Sequence, residues 1–105
     1  MAKIKQKEKT KFRSSSVWKS FRKKMKELYS GLDALTGFPL RKGWNLHHMS
    51  MDPENYTDIS NSDNFIPLNK ASHETIHFCF RYYQKDPNFL TNLEKILKRM
   101  LEVNN

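Results

Sequence analysis

The run NFIPLNKASHETIH, Asn64 to His77, changes period halfway along. Phe65, Ile66 and Leu68 form a short apolar run interrupted by Pro67, which predicts a short strand at a sheet edge. Asn69 is a good N-cap residue, and it predicts a helix from Lys70 to about Tyr83. His73 and His77 lie four residues apart on that helix and share one face. Two imidazoles so placed make half of a tetrahedral metal site. Taken alone, a pair of this kind is as often a half-buried structural feature.

Working upstream, WNLHHMS, Trp44 to Ser50, reads as another strand. Adjacent strand residues point to opposite faces, so His47 and His48 cannot do the same job. Between the strands, Met49 to Asp63 is polar and rich in turn residues, hence a loop. A strand–loop–strand–helix unit folds its hairpin back on the helix. One member of the histidine pair then completes a three-histidine set with an open fourth position, the mark of a catalytic metal. The other points away and is available to take a proton.

These residues resemble the signature of the HNH nucleases, whose fold is the ββα-metal or His-Me finger. The three letters fall on His48, Asn64 and His73. The nearest pattern is that of the colicin-type DNases: a His-His pair, then Asn, then His nine residues on and a last His four further. The resemblance covers Trp44 to about Phe80. The wider arrangement, with VWKSFRKKM upstream and LTGFPL before the pair, is similar to small phage-encoded HNH proteins. It implies that His47, His73 and His77 bind one divalent metal, that His48 is the general base, and that Asn64 ties down the loop holding that base. Many relatives carry Cys-x-x-Cys knuckles; here Asn69 stands where one such Cys often falls, so the flanking helices must supply the stability.

The activity the resemblance implies is hydrolysis of DNA, expected to be double-stranded, to a 5′-phosphate and a 3′-hydroxyl. The metal would neutralise charge on the phosphate and the leaving 3′ oxygen, and His48 would deprotonate an in-line water. Mg²⁺ or Mn²⁺ is the expected activity metal, while three imidazoles bind Zn²⁺ or Ni²⁺ more tightly. Arg41, Lys42 and Lys70 flank the motif as candidate phosphate contacts. The alternative is a non-catalytic module in which the metal only staples a DNA-binding or phage packaging domain. A nicking monomer and a double-strand-cutting homodimer both fit the sequence.

Outside the motif, the expected architecture is α+β and mostly helical. Residues 1–13 read as a flexible basic tail, and 14–105 as a single domain with its core motif at 44–80. Ser14 to Ser16 offer N-caps for an amphipathic basic helix. Val17, Trp18, Phe21, Met25, Leu28 and Tyr29 recur on it at helical spacing, and Gly31 is its natural C-cap. Lys19, Arg22, Lys23, Lys24 and Lys26 fill the other faces, toward DNA or water. GLDALTGFPLRKGW, Gly31 to Trp44, is a turn-rich connector with a short strand or hairpin. Asp86-Pro87 starts the last helix. Its stripe of Phe89, Leu90, Leu93, Ile96, Leu97, Met100 and Leu101 is expected in the core rather than in a dimer seam. Trp44 and Cys79 are expected to be buried, Asp63 a turn residue and Glu74 a solvated charge.

The net charge of +8 favours an anionic partner, with nucleic acid the commonest. Cys79 is the only cysteine, which rules out an intramolecular disulfide and a thiolate zinc site. Nothing approaches the roughly 18 apolar residues of a membrane span, and the basic N-terminus lacks a signal-peptide core. The expectation is a cytoplasmic protein with no membrane partner.

Overall fold

The computed structural model describes residues 6–50 and 58–105. In order, these residues form helix α1 (Gln6–Arg13), helix α2 (Ser16–Leu28), strand β1 (Asn45–His48), strand β2 (Phe65–Leu68), helix α3 (Lys70–Tyr83) and helix α4 (Asn88–Val103). The class is α+β and mostly helical, as expected. Packing divides the chain into two units, 1–73 and 74–105, with the boundary inside α3. No helix among the described residues is long and apolar enough to cross a membrane.

Unit 1 is built on the hairpin. β1 and β2 pair antiparallel with Leu46 opposite Pro67, His47 opposite Ile66 and His48 opposite Phe65. The pleat gives this ribbon two different faces. Leu46 and Phe65 join Trp18, Phe21 and Met25 of α2, with Trp44, in one buried cluster. Edge-on aromatic contacts lock it: Phe21 meets Phe65 at 5.0 Å between ring centroids, and Trp18 meets Phe65 at 5.9 Å. Phe65 and Leu68 are completely excluded from solvent.

α2 starts where the serines suggested. Ser15 is its N-cap, its side-chain oxygen accepting the Trp18 N–H. Of the expected stripe, only Trp18, Phe21 and Met25 are buried, and Val17 and Leu28 are exposed. Arg22 does not face outward with the lysines. Its guanidinium lies 3.6 Å above the Trp44 ring and donates to the Trp44 carbonyl, a cation–π lid on the edge of the core. The helix ends in a Schellman motif: the Gly31 N–H donates to Lys26 O and the Ser30 N–H to Glu27 O. Ser30 occupies the left-handed position, at φ 57°, and Gly31 follows at φ 73°. The C-cap is therefore Tyr29, and Ser30 takes the left-handed position after it, one residue before the expected glycine.

The expected basic tail is helical over Gln6–Arg13. The reason is Phe12, which sits 5.2 Å from Trp18 and packs on the core. One apolar side chain in the last turn of a lysine-rich helix gives that turn something to bury. Residues 1–5 lie outside the described residues, as do residues 51–57 of the expected loop.

The connector holds the least anticipated residue. Its ends are joined by an isolated bridge between Leu32 and Pro39. Inside it, Asp33 is 2% exposed. One carboxylate oxygen accepts the Leu35 and Thr36 N–H groups, and the other accepts the Asn69 N–H across 36 positions of sequence. The Ser72 hydroxyl also bonds to it. Asn69 precedes α3 as expected, but its side chain reaches sideways, accepting from the Arg41 N–H and donating to Pro39 O. Asp33 thus holds the start of α3 from a distant segment.

In unit 2, Asp86 acts at the start of α4. Its carboxylate accepts the Asn88 N–H, and Pro87 takes helical angles between them. No α4 residue is buried: Leu90, Ile96, Leu97, Met100 and Leu101 are 47–67% exposed. This overturns the expectation of a core stripe. A periodic pattern says which side of a helix is apolar and not what covers it. Cys79 is half-buried rather than deep.

Candidate metal centre

The two strand histidines diverge as the pleat requires. His47 is 8% exposed, its Nδ1 atom shielded from solvent, and its ring lies 5.3 Å from that of His73 in an edge-on arrangement. α3 runs on without a break, so His77 follows His73 by one turn on the same face. The result is a cluster in which one nitrogen from each of His47, His73 and His77 lies within 4.8 Å of the others.

The donor set suits a metal. Nitrogens around a tetrahedral Zn²⁺ stand about 3.4 Å apart, given Zn–N bonds near 2.0–2.1 Å. The 4.8 Å that bounds the nitrogen separations is compatible with that spacing. Three imidazoles, with no carboxylate in the cluster among the described residues, favour a borderline ion such as Zn²⁺ or Ni²⁺ over Mg²⁺.

His48 is not a member of the cluster. It lies on the other face of the hairpin, half-buried. Its ring stacks on Trp18 at 6.1 Å and 10°, and meets its cross-strand partner Phe65 edge-on at 4.8 Å. The sequence predicts a side chain facing outward; the structure gives it aromatic neighbours. Its partner on the opposite strand, Phe65, is fully buried, so this face of the hairpin is packed against α2.

Asn64 closes the loop after β1. Its side-chain oxygen accepts the Ser50 N–H at 2.8 Å, and its carbonyl accepts the Met49 N–H at 2.8 Å. Both bonds grip the two residues that follow His48, so Asn64 fixes the end of the strand that carries it. Asp63 sits in a single 3₁₀ turn, Ser62–Asn64, its N–H bonded to Asn61, which is the expected turn role. Arg41, Lys42, Lys70 and Glu74 are exposed.

Sequence reading missed Asp33. Its carboxyl is held down at about 2, burial pushing it up but the hydrogen bonds from Asn69, Thr36, Ser72 and Leu35 outweighing that. It positions the start of α3, the helix that brings two imidazoles of the cluster.

Comparison with protein-family models, with curated proteins and with solved structures gives no match.

Proposed function

We propose that this chain is a metal-dependent HNH-type endonuclease or nickase that hydrolyses DNA phosphodiester bonds. The observation that carries the reading is the division of labour in the hairpin: His47 joins His73 and His77 around one point, while the adjacent His48 is held apart from it. A bound divalent ion would supply charge neutralisation at the scissile phosphate and the leaving oxygen. His47, His73 and His77 hold that ion. His48 accepts the proton of the attacking water, and Asn64 holds the strand end that aims it. The exposed Arg41, Lys42 and Lys70 would contact phosphates of the duplex.

Plasmid nicking with Mg²⁺, Mn²⁺, Ni²⁺ or Zn²⁺, beside calorimetric titration of Zn²⁺, tests this assignment. His48→Ala is expected to lower cleavage by at least about 100-fold, the scale of general-base catalysis, with Zn²⁺ binding kept. His48→Phe retains the aromatic packing against Trp18 and Phe65 and should be equally inactive. His73→Ala should lose metal and cleavage together. Wild-type rates in both His48 variants would remove the base.

A second reading draws on one observation. The packing of His48 between Trp18 and Phe65 also suits a structural residue, with the metal acting as a staple for a basic DNA-binding or packaging module. Absence of cleavage by the wild-type chain with all four metals would decide for that module.

A further inference from the structure

The apolar face of α4 is too large to be left to water. Around the helix axis, Leu90, Leu93, Ile96, Leu97, Met100 and Leu101 fall with Phe89 and Val103 into one continuous arc of about 160°. Every charged residue of α4 lies outside that arc, where Glu94 pairs with Lys98 and Arg99 with Glu102. One edge of the face is occupied: Phe89 stacks on Tyr82 at 5.8 Å, and Tyr82 meets Phe78 at 5.0 Å. Leu93 is half-buried, but Leu90, Ile96, Leu97, Met100, Leu101 and Val103 are exposed, and Phe78 and Tyr82 extend the face onto α3 at 53% and 44% exposure. Together these side chains present roughly 700 Å² of apolar surface, where a monomer's patches seldom pass a few hundred and each side of a stable interface buries about 800.

Charge selects the occupant. Unit 1 carries 14 Lys and Arg against 7 Asp and Glu, a net +7, while unit 2 carries 5 against 4, a net +1. A face on the near-neutral unit meets its own copy without strong like-charge repulsion, and a two-fold axis matches the surface to itself. A strongly anionic partner or lipid surface would gain little there. We infer that α4 and the adjoining end of α3 form the seam of a homodimer, α4 of one copy against α4 of the other. This rests on the packing of unit 2 alone and holds whether or not the histidine cluster is catalytic.

Light scattering on an eluting column, over a concentration series, reads the mass directly. The wild-type chain is expected at twice its 12.5 kDa in the micromolar range. The double variant Leu97→Glu, Leu101→Glu is expected at the monomer mass, with at least 100-fold weaker association. Its circular dichroism should be unchanged, because both side chains are exposed within the chain. A wild type that stays monomeric at about 100 μM overturns the inference, as does a dimer that survives the double substitution. So does a monomer that co-sediments with phosphatidylserine vesicles and loses that binding in the double variant, since the face would then serve a membrane.

Discussion

Asp33 shows how much a single buried carboxylate can organise. An ionised group taken out of water is costly unless its lone pairs are satisfied; here three backbone N–H groups and a hydroxyl satisfy them. Its folded value of about 2 lies below the ordinary 3.8. A depressed carboxyl stabilises the fold above the unfolded value, and that contribution disappears as pH falls through the folded one. Between pH 4 and pH 2 the protein should therefore lose about 2 kcal/mol from this residue. Urea unfolding of wild type and Asp33→Asn at pH 7, 4 and 2 measures it, and the gap between the two curves should shrink toward the acid end. Nothing in the sequence marked Asp33, because its decisive partner, Asn69, lies 36 residues away. The residues of the metal cluster were legible, because an imidazole pair one helical turn apart is a local pattern. The environment of His48 was not, since it depends on where Trp18 lands.

At the scale of elements, the chain is most readable where period and burial agree. The 14-residue helix α3 begins and ends where its N-cap residue and its pattern predict, and both strands lie where the short apolar runs do. Helix α2 ends less comfortably. Ser30 holds a left-handed backbone, at φ 57°, that costs an L-residue about 1 kcal/mol, although a glycine stands next in the chain. Ser30→Gly should raise stability by up to about 1 kcal/mol, seen as a higher melting temperature with no change in metal binding. α4 is the opposite case. Its boundaries follow from Asp86, Pro87 and the stripe, yet its environment does not, because amphipathicity is the same for a helix that faces a core and one that faces a second chain.

For the whole molecule, the small size of the core decides how mutations act. Among the described residues, five buried residues from α2 and the hairpin, with Trp44 just before β1, make up the main cluster, and Phe65 is at its centre with no exposure. Phe65→Ala should cost about 3–5 kcal/mol, a large share of the 5–15 kcal/mol a domain has in hand. Thermal unfolding by circular dichroism should find unit 1 largely unfolded at 37 °C. Zn²⁺ should partly rescue it, because an ion that binds only the folded form shifts the equilibrium.

Asp33 also sets how the connector and α3 come apart. The Leu35, Thr36 and Asn69 amides, from two distant segments, all answer to one side chain. They cannot open to solvent one at a time without leaving part of a buried charge bare. Their exchange with solvent deuterium is therefore a single cooperative event, and the first turn of α3 frays only when residues 33–36 let go with it.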